Sequence, residues 1–222
     1  GVDVTIEFPD KEYLERINKA QLLLRDKEIG GLLVQSTEGF PYGTRYFANF
    51  WPSFEYGFLF IPSHGKPVLF TGVENAMFAR EISPIELIEV AKECTFHGAP
   101  DYHSNPAPSM LDVVLDLLAG DEMSDKLAIY PYGLFSHDVL DNFARKVSNV
   151  EFLDGNGEIL VPVRQHKSVL EVEAIRQASR LAQDAFASVL SEIHEGVTES
   201  AIMDRINAFT AQRGSERHPY YG

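Results

Sequence analysis

The sequence predicts an α/β fold: a mixed-sheet domain over residues 1–160, then a linker and two helices of an incomplete second domain over residues 161–222. Three observations predict it. Segments of helical and of strand periodicity alternate through the first 160 residues, the pattern of a sheet covered by helices. One strand pair in that run is joined by turn residues alone, so the sheet is mixed rather than wholly parallel. After Val161-Pro162-Val163 the pattern turns purely helical, and two amphipathic helices without a sheet bury too little surface to form a domain.

Each element has its own signal. Asp10 to Lys27 is a helix, with Tyr13, Ile17, Ala20 and Leu24 at three- and four-residue steps and Asp10 as the expected cap. Gly30-Gly31 ends it, and Leu32-Leu33-Val34 is a short buried strand. Glu55 to Ile61 and Val68 to Phe70 flank Pro62-Ser63-His64-Gly65-Lys66-Pro67, which is turn chemistry and makes a hairpin. Val73 to Glu81 is a short helix and Ile85 to Val90 a strand. Ser109-Met110-Leu111-Asp112 opens a helix that Gly120 closes. Leu127 to Tyr130 is a strand, Ser136 to Lys146 a helix, Val150 to Leu153 a strand, and Gly155-Asn156-Gly157 a turn. Ser168 and Glu171 form a capping box for a helix running to about His194, with Gly196 as a breaker. Thr198 caps the last helix, which carries Ile202, Ile206 and Phe209 on one face and ends at Gly214.

The 222 residues carry 19 basic and 33 acidic side chains, a net charge of −14. Residues 1–163 hold 12 basic and 25 acidic residues, so nearly all of the acidity belongs to the first domain. Such a charge argues against a nucleic-acid backbone or an anionic membrane as partner and leaves small molecules, peptides and proteins. One cysteine, Cys94, excludes an intrachain disulfide framework. No apolar run reaches the length of a membrane span, and the N-terminus lacks the basic and apolar regions of a signal peptide, so a cytoplasmic location is expected.

Few residues suggest chemistry. His97, Asp101 and His103 share a proline-rich loop and could bind a metal, but no further nitrogen or thiolate ligand is near, which favours a solvated loop. Asp101 and Asp112 have the eleven-residue spacing of two-metal carboxylate pairs, a match that 13 aspartates give by chance. Gly155-Asn156-Gly157 completes no phosphate-binding fingerprint, and Cys94 is expected to be structural. The most unusual stretch is Tyr46 to Tyr56, with six aromatics in eleven residues. It is either a core plug or an apolar wall for a ligand or neighbouring subunit, with Trp51 as the expected exposed ring and Arg45 as a carboxylate anchor.

Three local matches resemble one family. The first is Arg16, Leu24, Ile29-Gly30-Gly31-Leu32-Leu33-Val34 and Tyr46-Phe47-Ala48-Asn49-Phe50, close to a "YLTGF" segment but with Ala48-Asn49 where the family usually has Thr-Gly. The second is the hairpin Gly57-Phe58-Leu59-Phe60-Ile61-Pro62 with Pro67-Val68-Leu69-Phe70. The third and most specific is Val163-Arg164-Gln165-His166-Lys167-Ser168 with Glu171, Glu173, Ile175-Arg176 and Ala178, followed by the turn Glu195-Gly196-Val197-Thr198-Glu199. Together they resemble the pita-bread metallopeptidases: aminopeptidase P, prolidase and creatinase.

The resemblance implies a creatinase N-terminal-like (ribonuclease H-like) domain followed by the first helices of a truncated pita-bread domain. It implies a metal-dependent Xaa-Pro peptidase as the longer parent, with two divalent ions (Mn, Co or Zn) held by two Asp, one His and two Glu. Those ligands lie beyond the Gly214 region, so no catalytic residue and no metal ligand is carried over, His218 included, and no cofactor is expected in this chain. The first domain is expected to serve a homo-oligomer, a dimer, with Arg45, Phe50, Trp51 and Phe54 lining part of a neighbour's pocket for a peptide or small-molecule substrate. The alternatives are a non-catalytic protein- or peptide-binding module of the same fold, and creatinase- or lyase-type chemistry in the parent.

Overall fold

Gly31–Ser36 (β1) and Gly57–Pro62 (β2) are buried along their whole length, so the sheet that holds them is covered on both faces. The computed structural model describes residues 6–95, 107–119, 125–147 and 150–215. The chain divides into two compact units, Pro9–Gln165 and a second made of Gly1–Phe8 with His166–Gly222.

In the larger unit, Val68–Thr71 (β3), Leu87–Val90 (β4), Lys126–Tyr130 (β5) and Glu151–Asp154 (β6) complete a six-stranded sheet of order β4-β3-β2-β1-β5-β6. β2 runs antiparallel to both neighbours, with Gly31 opposite Pro62 and Gly57 opposite Thr71. The pairs β1–β5, β3–β4 and β5–β6 are parallel. The sheet is therefore mixed, with β2 as the strand that runs against the other five.

Side chains alternate along β2. Leu59 and Ile61 join one core with Ile17, Ala20 and Leu24 of Asp10–Asp26 (α1), Phe47 and Ala48 of Tyr42–Ala48 (α2) and Ala79 of Ala76–Ile82 (α3). Phe58 and Phe60 join the opposite core with Met110, Leu111, Val114 and Leu118 of Met110–Ala119 (α4) and Val139 and Phe143 of His137–Lys146 (α5). Each buried Leu, Ile, Val, Phe or Met among them contributes about 1.5–3 kcal/mol relative to staying in water. α1 also ties down the hairpin turn. Gln21 Nε2 donates to the carbonyls of Pro62 and Gly65, both at 2.9 Å, and Arg25 Nη1 donates to that of Ser63 at 2.7 Å.

Several local expectations change. Pro9, not Asp10, occupies the N-cap of α1; Asp10 sits in the first turn, where its charge favours the helix dipole without a capping bond. Tyr46 and Phe47 belong to α2, which breaks the aromatic segment into a helix end and a loop. Gly155-Asn156-Gly157 is not a turn. A wide helical turn, Asn156–Leu160, runs without a break into Val161–Gln165 (α6). Ile159, Leu160 and Val163 are drawn into the first core, and Asp154 Oδ1 accepts from the Asn156 N–H at 3.0 Å where a turn signal would stand. Pro162 stands just past the junction where the wide turn gives way to α6.

The smaller unit holds Val169–Val189 (α7) and Glu199–Ala211 (α8), which pack on each other. The capping box is formed: Ser168 Oγ accepts from Glu171 N at 3.1 Å and Glu171 Oε2 from Ser168 N at 2.8 Å. Thr198 Oγ1 accepts from Ala201 N at 3.2 Å. Gly196 and Gly214 take φ of +92° and +86°, where glycine is favoured at helix breaks. Val189 is buried and Ile202, Ile206 and Phe209 are half-buried, whereas Phe186 is exposed. Among the described residues, no helix is long and apolar enough to cross a membrane.

Candidate functional site: an aromatic tip at the sheet edge

The segment between α2 and β2 lies beside the carboxyl ends of β1 and β3, since β2 starts there by pairing Gly57 with Ser36 and Thr71. Its first half is fixed from below. Thr44 Oγ1 donates to Phe50 O at 2.8 Å and lies 2.8 Å from Ser36 Oγ. Asn49 ends α2 at φ +51°, with its side chain donating to Ile82 O at 3.1 Å. This explains the departure from Thr-Gly noted above: the position needs a left-handed residue, and asparagine is the side-chain-bearing residue that tolerates it best.

The second half forms a tip. Glu55 N–H donates to Ser53 O at 2.6 Å, which closes a three-residue turn and holds Phe54 at φ +45°. A non-glycine residue held there stores about 1–3 kcal/mol and needs support from its surroundings. Three polar groups supply it. Glu38 Oε2 accepts from Phe54 N at 3.1 Å. Asn75 Oδ1 accepts from Ser53 N at 3.1 Å, and its Nδ2 donates to Ser53 O at 3.0 Å and to Glu55 Oε2 at 2.6 Å. The buried Glu55 carboxylate also accepts from Asn75 N at 3.1 Å and lies where a side chain at Gly72 would have to be.

The four residues expected to bind substrate are thus placed differently from one another. Phe50 is fully buried and packs in the first core. Trp51 is half-buried: its ring meets Phe78 edge-on at 5.0 Å, and the Arg45 guanidinium lies 3.7 Å from its centroid. In that cation–π stack the guanidinium expected to anchor a carboxylate instead covers one face of the indole. Phe54, rather than Trp51, is the exposed ring, at 53%. The proline after Trp51 restricts that backbone, but Phe78 and Arg45 cover the indole.

Glu38, Glu55, Asn75 and Phe78 were not foreseen. No local signal gives them a role at the tip, because they act through contacts between segments about 16 to 27 residues apart. Asn75→Ala should lower the unfolding free energy by about 1–3 kcal/mol, because it leaves a buried carboxylate short of a donor. Asn75→Asp should cost more, since it sets a second carboxylate beside Glu55. Urea unfolding of both variants measures the difference, and equal costs would place Glu55 outside this clasp.

The other candidates form no second centre. His97, Asp101, His103 and His218 lie outside the described residues. Asp112 is engaged in an ion pair with Lys146. Cys94 is fully buried, and burial foremost, then the charges of Glu93 and Glu55, push its thiol well above the ordinary range, so a thiolate is disfavoured. A cavity of about 430 Å³ on the α5 side is lined by Tyr56, Lys92, Glu93, Asp138 and Arg145 among others, and by none of the four expected residues. Its Glu93 is already committed to Ser109 Oγ and Met110 N, at 2.5 and 2.9 Å. Among the described residues, no three His, Cys, Asp or Glu side chains converge, so they do not fit a two-metal centre.

Solved structures share this fold. A prolidase from Pyrococcus furiosus superposes with TM-score 0.66 at 20% identity, over 92% of this chain and 54% of its own. An X-Pro aminopeptidase from Thermotoga maritima gives 0.67 at 18% identity, over 90% and 50%. The dipeptidase PepE from Mycobacterium ulcerans gives 0.68 at 17% identity, over 94% and 52%. The chain thus spans about half the length of these proteins. No curated protein sequence matches it. The sequence pattern of the creatinase/prolidase N-terminal domain matches residues 16–166, from α1 to the end of α6, the stretch that builds the sheet, both cores and the aromatic tip. By that match, the chain belongs to the creatinase/prolidase N-terminal domain family.

Proposed function

We propose that this chain is the N-terminal part of a metal-dependent Xaa-Pro peptidase-like hydrolase, and that its aromatic tip completes the substrate pocket of a neighbouring subunit in a homo-oligomer. The observation that carries the reading is Phe54, an exposed ring held at φ +45° by Glu38, Asn75 and Glu55. A fold holds an apolar residue in a costly conformation at its surface where that geometry serves a contact. The prolidase and the X-Pro aminopeptidase of like fold are what supports proposing Xaa-Pro peptides as the substrate class. The Arg45–Trp51 stack and Phe54 would border the substrate, while Phe50 supports them from the core. In this reading the metal-dependent step belongs to the catalytic domain that the resemblance implies, and the aromatic tip contributes substrate contacts alone.

The test is steady-state kinetics of the longer protein on Xaa-Pro dipeptides. Phe54→Ala and Trp51→Ala should each lower kcat/KM by about tenfold, a loss of about 1.4 kcal/mol of transition-state binding. Unchanged kinetics with every substrate would remove the tip from the pocket. The net charge of −13 over residues 1–163 favours a second reading, a non-catalytic module for a basic protein or peptide. Absence of bound metal and of peptidase activity in the longer protein, with capture of a basic peptide, would select it.

A further inference from the structure

We propose that the cavity on the α5 side binds a small zwitterion whose ammonium and carboxylate stand about 5–8 Å apart. The cavity holds no catalytic set, but it lies wholly within the larger unit and, at about 430 Å³, is of ligand size. Asp138, Asp141, Asn142 and Arg145 follow at steps of three and one to three residues that put one face of α5 along it. The facing wall carries Tyr56 and Lys92, and the Tyr56 N–H holds that wall together by donating to Cys94 O at 2.9 Å. Val139, which belongs to the second core, gives the cavity an apolar side.

The charges decide what fits. Glu93 is committed to Ser109 and Met110, and Asp141 lies 3.5 Å from His137 Nε2. Among the described residues, Asp138, Arg145 and Lys92 have no ion-pair partner. A simple anion would meet Asp138, and a simple cation would meet Arg145 and Lys92. A molecule that carries both charges sets each against its opposite. Asp138 and Arg145 are seven residues apart, about 10 Å along the helix. The Arg145 side chain leans back towards the start of α5, where its Nη1 donates to Asn142 Oδ1 at 3.4 Å, and this shortens the gap. The span excludes a free α-amino acid, whose two charged groups share one carbon. It suits a dipeptide or a straight-chain ω-amino acid. The proposal does not depend on the peptidase reading, because none of Arg45, Trp51 and Phe54 takes part.

Titration of the isotope-labelled 222-residue chain, followed by its amide NMR shifts, tests this, with thermal unfolding as a check that each variant folds. Alanylalanine and ε-aminocaproate are the probes. Saturable shifts at Tyr56, Val139 and Asn142 are expected, with Kd about 1 mM or tighter. Alanylalanine alone would name a peptide as the ligand and ε-aminocaproate alone an ω-amino acid, each in support. N-acetyl-alanylalanine and alanylalanine amide, which lack one charge each, should bind about tenfold more weakly. Arg145→Gln should weaken alanylalanine by about tenfold and leave the amide unchanged, since the amide has no carboxylate to lose. Asp138→Asn should weaken alanylalanine in the same way and leave the N-acetyl form unchanged. These paired losses separate contact with the ligand from a structural role. Equal binding of the blocked forms, shifts confined to residues 53–55, or no saturable shift with either probe would overturn the site.

Discussion

Phe60→Ala is expected to lower the unfolding free energy by about 3–5 kcal/mol, read from urea or thermal unfolding. Phe60 is fully buried on the central strand β2, opposite Leu33, and belongs to the core between the sheet and α4 and α5. Its ring also lies over Gly31. A Cβ at residue 31 would stand 2.7 Å from Phe60 Cζ and overlap the ring edge. Gly31→Ala alone should therefore cost about 1–3 kcal/mol by overpacking. Once the ring is gone, the new methyl group enters the space it leaves. The double variant should then be more stable than the sum of the single costs by about 1–2 kcal/mol. Additive costs would show that Gly31 is required for its backbone rather than for the ring above it.

That pair also shows what the sequence makes legible. The hairpin was readable because Pro62 to Pro67 carries turn chemistry and the flanking residues are a continuous apolar run. The capping box of α7 was readable because Ser168 and Glu171 act within one turn. The need for glycine at 31 was not, since it depends on a ring twenty-nine residues away in a register that only the folded sheet sets. The candidate site divides the same way. Aromatic density singled out residues 46–56, which is a local property. Which ring faces water is not local: Phe78 and Arg45 cover Trp51, while Glu38, Glu55 and Asn75 push Phe54 out. Composition singled out the segment, and long-range contacts decide which of its side chains are exposed.

Two glycines that look alike in the sequence should respond with opposite signs. Gly155 and Gly157 flank Asn156 and together read as a turn, yet they open the helical run that leaves β6. A Cβ at Gly155 would stand 2.7 Å from Leu32 Cδ1, 2.8 Å from Ile129 O and 3.1 Å from Ile129 C. Leu32 could turn aside, but the Ile129 carbonyl belongs to β5, which is paired on both sides, with β1 and β6. The strand must move, so Gly155→Ala should cost about 3 kcal/mol and lower the thermal midpoint by several degrees. At Gly157 the nearest atom to a new Cβ is Asp154 Oδ2 at 3.5 Å, an ordinary contact. There alanine keeps the helical turn and loses less backbone freedom on folding, so Gly157→Ala should be neutral or stabilise by up to about 1 kcal/mol. The comparison is decisive because both changes add one methyl group within a single helical turn. Shifts of the same sign and size would mean that the close approach of Gly155 to β5 does not set where the helix leaves the sheet.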